Sequence, residues 1–135
     1  MLEAIKPESL TDQSSSKGRN VGEQIAHMHN VRLMWLKSAS PDLLKGLDKI
    51  EKESITKEML QSSLKKSGEA IAALMKTSLA SDGKIKGFKP HAIAFLGYII
   101  SHESHHRGQI ALSLKQLGHP LDKKIAYGIW EWGSR

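Results

Sequence analysis

The sequence predicts an all-α protein. Every apolar repeat in the 135-residue chain has the spacing of a helix rather than of a strand. The two-residue alternation of a half-buried strand is absent, and β-branched residues are sparse. We therefore expect helices packed around one core, in a single domain over residues 1–135.

The chain opens with a short segment followed by a polar loop, together residues 1–17. Pro7 limits the first ten residues to two helical turns, and a serine-rich loop follows. The first long helix is expected at Val21–Ser38, with Asn20 as its N-cap. We expect this helix to end before Pro41 and a loop through Gly46 to follow it.

Two further long helices are expected. One covers Lys57–Leu79 and is capped by Thr56. The other covers Pro90–Leu117, because proline suits the first turn of a helix and Gly118 suits its end.

Three long helices and a short segment do not close a four-helix bundle. The first turns of the last long helix, Ala92–Ile100, are apolar on nearly every side and require burial. A second subunit, residues upstream of Met1, or the aromatic tail with Tyr127, Trp130 and Trp132 could cover them. We expect the tail to pack on the bundle and the protein to form a homodimer.

Composition excludes several kinds of chemistry. Without cysteine, the chain can form neither disulfides nor a thiol nucleophile, so any thiol must come from outside. No signal peptide is visible and the longest apolar run is too short to span a bilayer, so we expect a soluble cytoplasmic protein without membrane contact. The net charge is +6, but the lysines are scattered without interleaved aromatics, which argues against nucleic-acid binding.

His102 and His106 are the most informative of the seven histidines. They lie one helical turn apart on one face, where two imidazoles can bind the same metal ion. The alternative is a pair of ordinary histidines bonded to backbone, water or each other. A third ligand must come from another helix, and spacing leaves both His27 and His29 open.

Three stretches resemble the DinB/YfiT-like superfamily. They are Gly18–Leu36, the H-x-x-x-H-R-x-Q motif at His102–Gln109, and Leu117–Pro120. The resemblance covers residues 18–135 and implies an up-down four-helix bundle, usually dimeric, that holds one divalent metal ion. The chain departs from the family at its start, where the first long helix is reduced to Met1–Leu10.

The resemblance also implies a ligand set and an activity. The family's three metal-binding histidines fall on His27, His102 and His106. Some relatives are metal-dependent S-transferases or isomerases that use a low-molecular-weight thiol. Three imidazoles leave a coordination position open for that thiol, which would attack a small electrophilic substrate, with zinc or nickel as the expected metal. Gln109 and Glu23, each one turn from a ligand, are candidates to orient it or to line the pocket.

Two other functions remain open at this stage. His102–His106 also matches the metallopeptidase pattern H-E-x-x-H, with Glu103 as base and Glu131 as a further ligand. That function would need a strand edge to align the peptide, and no strand is predicted. The second alternative is a non-catalytic, dimeric module that binds a metal or a ligand.

Overall fold

The computed structural model describes residues 1–128, and this part is helical as predicted. It contains three long helices and one short one: α1 (Val21–Ala39), α2 (Lys57–Ala80), α3 (Ala92–Gln116) and α4 (Lys123–Gly128). Within residues 1–128 the only β-type pairing is an isolated bridge between Ile85 and Phe88. None of the described helices combines the length and the apolarity needed to cross a bilayer.

Short-range capping explains where the long helices begin. The Asn20 side chain accepts a hydrogen bond from the Glu23 amide at 2.8 Å, and the Glu23 carboxylate accepts one from the Asn20 amide at 3.1 Å. These reciprocal bonds satisfy two amides that the first turn of α1 leaves without helical partners. The Thr56 hydroxyl accepts from the Met59 amide at 3.2 Å and starts α2 in the same way.

The start of α3 differs from the prediction by two residues. Pro90 lies outside the helix, which begins at Ala92. His91 is the N-cap, and its Nδ1 accepts a hydrogen bond from the Ala94 amide at 3.2 Å. An imidazole nitrogen thus takes the capping place that serine, threonine, aspartate or asparagine usually fills.

The expected short first helix is a pair of 3-10 turns, Leu2–Ala4 and Pro7–Thr11. Ile5 and Leu10 from this segment are buried in the core. Gly22 allows the segment to lie close to α1, because a Cβ there would be 3.2 Å from the Leu10 carbonyl oxygen.

The helices follow the up-down order only in part. Hydrogen bonds between α1 and α2 join positions whose numbers increase together, 29 with 63 and 32 with 67. Between α1 and α3 the order is reversed, since position 24 bonds position 106 and position 32 bonds position 103. The first two helices therefore run in the same direction, and α3 runs against both. A connection over residues 40–56 returns the chain along the bundle, which makes the parallel pair possible.

Two polar side chains of α1 hold this connection in place. His29 is 1% exposed. Its Nε2 lies 2.9 Å from the Asp48 carbonyl oxygen, and its Nδ1 lies 3.0 Å from that of Ser63 in α2. Asn30 exchanges two hydrogen bonds with the backbone of Ile50. A ring N–H of His29 donates to a carbonyl oxygen, and the Asn30 side chain satisfies both polar groups of the Ile50 backbone, which would otherwise be costly to bury.

The core has two parts, one towards each end of the bundle. Residues from all three long helices meet in both parts. The larger buried side chains are Ile25, Leu60, Ile110 and Leu114 in the first part, and Leu36, Leu74, Phe95 and Ile99 in the second. On α3, His102 and His106 lie between Ile99 of the second part and Ile110 of the first, whereas His27 on α1 lies beside residues of the first part.

One side of α3 remains exposed in the described part of the chain. Ile93, Leu96 and Ile100 are 57%, 38% and 50% exposed, so the apolar start of this helix is buried on one side only. Leu121, at the start of the tail, packs against the core as expected, whereas the Tyr127 ring is 68% exposed. Trp130 and Trp132, which carried the rest of that prediction, lie outside the described residues.

Candidate metal centre

His27, His102 and His106 come together where α1 faces α3. Each offers one ring nitrogen, and these atoms all lie within 4.8 Å of one another. The Nε2 atoms of His27 and His102 are 3.3 Å apart. One helical turn on α3 supplies two of the rings, and the antiparallel α1 supplies the third. We refer to these residues as the three-histidine cluster.

Burial keeps the rings of this cluster neutral. His106 is buried, and His27 and His102 are half-buried. Desolvation lowers the pKa of all three imidazoles, and it lowers the pKa of His106 to about 4. The positive charge of Arg19 acts in the same direction on the pKa of each ring. At neutral pH every ring therefore keeps a nitrogen lone pair, which a metal ion requires.

Gln24 fixes the orientation of His106. The Oε1 atom of this buried glutamine lies 3.4 Å from Nδ1 of His106. An amide oxygen only accepts, so Nδ1 carries the proton and Nε2 keeps its lone pair for a ligand. The amide nitrogen of Gln24 donates to the Arg19 carbonyl oxygen at 3.5 Å. The sequence analysis did not identify Gln24. Its position three residues before His27 places both side chains on the same face of the helix, which could have indicated a residue close to the ligands.

The two residues expected to support the ligands have different surroundings. Glu23 caps α1 and forms an ion pair with Lys52 at 3.0 Å, and this pairing lowers the pKa of its carboxyl group. Gln109 is exposed and makes no hydrogen bond with the described residues of the three-histidine cluster.

The alternative third ligand, His29, has a structural place. Both of its ring nitrogens already face backbone carbonyl oxygens, and the side chain is sealed from solvent. It lies outside the three-histidine cluster, which contains His27 instead. The choice between the two residues, which spacing left open, follows from the direction in which each points from α1.

Glu103 is engaged by an arginine rather than by the cluster. Its two carboxylate oxygens accept from Nε and Nη2 of Arg32 at 2.7 and 2.8 Å. Arg32 also donates to the Leu64 carbonyl oxygen at 2.9 Å and to the Ser67 hydroxyl at 3.3 Å. A carboxylate held in this way is not positioned to activate water. Glu131, the further ligand in the metallopeptidase hypothesis, lies outside the described residues.

An aromatic group lies on one side of the three-histidine cluster. Tyr98 stacks on His102, with ring centroids 6.0 Å apart and 20° between the planes. Tyr98 also packs on Trp35 and Phe88, at 5.5 and 5.7 Å between centroids. Trp35 is thus packed against the second part of the core. These rings give the cluster an apolar flank that excludes water from one side.

A separate cavity of about 690 Å³ lies at the far end of the bundle. The ends of α1 and α2 and the loop after α2 line it, with Ser40, Thr77, Lys84 and Lys89 among the polar contributors. No member of the three-histidine cluster reaches it. Its lining holds no histidine, so the candidate site remains the cluster.

The family model for the DinB family matches residues 1–129. The chain belongs to the DinB family. The match begins at residue 1 and so includes the 3-10 turns, which lay outside the stretch on which the resemblance was based. Comparison with curated proteins and with solved structures gave no match.

The donor set of this DinB-family protein fits a divalent metal ion. Neutral imidazoles suit zinc, nickel, iron and copper, whereas calcium and magnesium prefer oxygen. Within residues 1–128 no carboxylate joins the three rings. Three histidines could therefore hold a metal ion and leave further coordination positions for a ligand from outside.

Proposed function

We propose that this protein is a metal-dependent S-transferase that joins a low-molecular-weight thiol to a small electrophilic substrate. In this proposal His27, His102 and His106 hold one divalent ion, with zinc or nickel as the first candidates. The observation that carries it is the three-histidine cluster, whose rings are neutral and have no fourth protein ligand among the described residues. That arrangement is typical of catalytic rather than structural zinc sites.

The ion and the protein have separate roles in the proposed reaction. A bound divalent ion lowers the pKa of a coordinated thiol, so that the sulfur is ionised near neutral pH. Gln24 would hold the proton on Nδ1 of His106 and leave Nε2 free for the ion, and Tyr98 would limit water beside His102. The sulfur lone pair forms a bond to the electrophilic carbon, the leaving group departs with the bonding pair, and the thiol proton passes to solvent.

Location and assembly are part of the proposal. A reaction that consumes a free thiol requires a reducing compartment, and we therefore propose a cytoplasmic location. We also propose a homodimer, because Ile93, Leu96 and Ile100 leave an apolar face on α3 that a second subunit could cover.

Metal content, measured by elemental mass spectrometry after removal of any histidine tag, tests the proposal. We expect close to one equivalent of a divalent metal in the wild type and its loss in His27→Ala and in His102→Ala. His105→Ala is the matched control, because this exposed histidine lies on α3 but outside the cluster. Metal that persists in His27→Ala, or that is lost equally in His105→Ala, would refute the ligand assignment. Wild-type protein that remains metal-free after supplementation would refute the metal-dependent function.

A non-catalytic dimeric module is the second candidate, and the same exposed face of α3 favours it. The two functions differ in what the metal-loaded protein does with thiols. A transferase must couple a thiol to a model electrophile such as monochlorobimane faster than the His27→Ala variant. Equal rates for the metal-loaded protein and the variant would favour the binding module. The metallopeptidase hypothesis is not proposed, because Arg32 occupies both carboxylate oxygens of Glu103.

A further inference from the structure

The cavity between the ends of α1 and α2 and the loop after α2 has the size and the walls of a ligand site. Its volume of about 690 Å³ lies within the range of about 300–1,000 Å³ that is usual for pockets that bind small molecules. The buried side chains of Leu74 and Ile85 line it together with the half-buried Phe88. The apolar part of a small molecule would therefore leave water here. We refer to this site as the end cavity.

The loop that forms one wall of the end cavity is held in place. The Phe88 amide donates to the Ile85 carbonyl oxygen at 3.0 Å. Gly87 has a φ of +83° and lies so close to the Ser38 hydroxyl that a Cβ would not fit between them. The wall therefore exists before a ligand binds, and little ordering cost opposes binding.

A buried serine in the wall of the end cavity has a hydroxyl without a partner. Ser78 lines the cavity and is 7% exposed. Its carbonyl oxygen accepts from the Gly83 amide at 2.9 Å, but its hydroxyl makes no hydrogen bond with the described residues. A hydroxyl that is shielded from water without a hydrogen bond costs free energy, so this group points to a polar partner inside the cavity.

Positive charge is concentrated at the end cavity. Lys84, Lys86 and Lys89 line it, and in the part of the chain that the structure describes none of them is paired with a carboxylate. The lining contains one acid, Asp82, whose carboxylate accepts from the Lys84 amide at 3.1 Å. The C-terminal ends of α1 and α2 add about half a negative charge each, so that about one positive charge remains. The end cavity therefore favours a ligand with a single negative charge.

We infer that the end cavity binds a small organic acid, with its ionised group among the three lysines and its apolar body against Leu74, Ile85 and Phe88. The Ser78 hydroxyl donates to the polar part of this ligand. An acidic protein surface could contact the lysines but could not reach the buried Ser78. The site is separate from the three-histidine cluster and requires neither a metal ion nor the proposed thiol transfer.

Isothermal titration calorimetry of the protein as purified, with two matched probes, tests the inference. The probes are 2-naphthoate, which is an anion at neutral pH, and 2-naphthamide, which has nearly the same shape without the charge. We expect 2-naphthoate to bind more tightly. The triple variant Lys84→Gln, Lys86→Gln, Lys89→Gln should weaken its binding about tenfold and leave 2-naphthamide unchanged, because each exposed charge contributes only part of that factor.

A second triple variant, Lys65→Gln, Lys66→Gln, Lys115→Gln, is the matched control. It removes the same charge from exposed lysines that do not line the end cavity, and it should leave both dissociation constants unchanged. Ser78→Ala should weaken binding of 2-naphthoate about threefold through the lost hydrogen bond. Circular dichroism checks that the variants are folded.

Two further variants locate the bound probe. Thr77→Phe places a ring in the end cavity from the exposed side of α2 and should abolish binding of 2-naphthoate. His102→Ala alters the three-histidine cluster and should leave binding of 2-naphthoate unchanged, because no member of that cluster lines the end cavity.

Several results would each overturn the inference. One is the absence of 2-naphthoate binding at millimolar concentration, and another is equal binding of the two probes. Equal weakening in the two triple variants, or full affinity in Ser78→Ala, would do the same. Unchanged binding in Thr77→Phe would place the probe elsewhere, and loss of binding in His102→Ala would place it at the three-histidine cluster. None of these results alters the metal content, so the inference and the proposed function can fail separately.

Discussion

The ion pair between Arg32 and Glu103 joins α1 to α3 next to the three-histidine cluster, and Glu103→Gln tests its role. Both side chains are 15% exposed, and the pair is bidentate. Glutamine keeps the shape of the glutamate but removes its charge. It can accept only one of the two hydrogen bonds, and its amide group places N–H against N–H at the other.

The size of the effect follows from the burial of the pair. Two unit charges about 4 Å apart attract by about 4 kcal/mol at the effective dielectric of a protein surface, and truncation of one partner of a fully buried pair costs about 3–5 kcal/mol. Exposed pairs contribute about 1 kcal/mol at most. Arg32 keeps its bonds to Leu64 and Ser67, and some water reaches the pair. We therefore expect Glu103→Gln to lower the free energy of unfolding by about 2 kcal/mol.

Urea denaturation of Glu103→Gln, Arg32→Met and the double variant measures the coupling directly. The double variant should lose less stability than the sum of the single variants, by about 1–2 kcal/mol, because removal of both partners leaves no buried charge uncompensated. Additive effects, or a loss below about 0.5 kcal/mol in Glu103→Gln, would show that the bidentate contact does not hold the helices together. A metallopeptidase base would behave differently, with loss of peptide hydrolysis and unchanged stability.

Three further predictions concern single groups. In the metal-free protein the pKa of His106 is about 4, below its ordinary value near 6.5. The unfolded chain therefore binds more protons between these values, so the free energy of unfolding should fall by about 2 kcal/mol from pH 7 to pH 5. His106→Gln, followed by the same urea titrations, should remove most of that fall, and an unchanged slope would contradict the buried neutral ring. His91→Ala should cost about 1 kcal/mol through loss of the α3 cap, and thermal unfolding against the exposed Ile93→Ala control measures it. Gln24→Leu should weaken zinc binding about 10- to 100-fold in a competition with a chelator, and unchanged affinity would show that His106 needs no support.

The sequence predicted the parts of the fold that depend on neighbours along the chain. Asn20 and Thr56 cap α1 and α2 as expected, because a capping bond spans only three residues. The start of α3 was misplaced, since His91 is an uncommon cap and Pro90 offered a stronger local signal. That α1 and α2 run in the same direction could not be predicted. It depends on contacts such as that of His29 with Asp48, which lies 19 residues away in the connection between the two helices.

The candidate site also has a part that depends on neighbours along the chain, which the sequence predicted, and a part that depends on distant contacts, which it did not. The spacing of His102 and His106 placed them on one face of a helix without knowledge of the tertiary structure. Spacing could not choose between His27 and His29, because both border the apolar side of α1 and only the packing of α3 distinguishes them. Gln24 escaped notice because its partner lies 82 residues away in sequence.

The two apolar parts of the core contain no member of the three-histidine cluster, and this determines how metal and stability are linked. Leu60 and Ile110 are fully buried in one part, and Leu36 and Phe95 in the other, so the fold does not depend on the ion for its apolar core. A zinc finger, by contrast, unfolds without its metal. We expect chelation to leave the far-ultraviolet circular dichroism unchanged, while zinc at about 1,000 times its dissociation constant should raise the free energy of unfolding by about 4 kcal/mol. Loss of helical signal on chelation would show that the rings, crowded within 4.8 Å of one another, require the ion to hold α1 against α3.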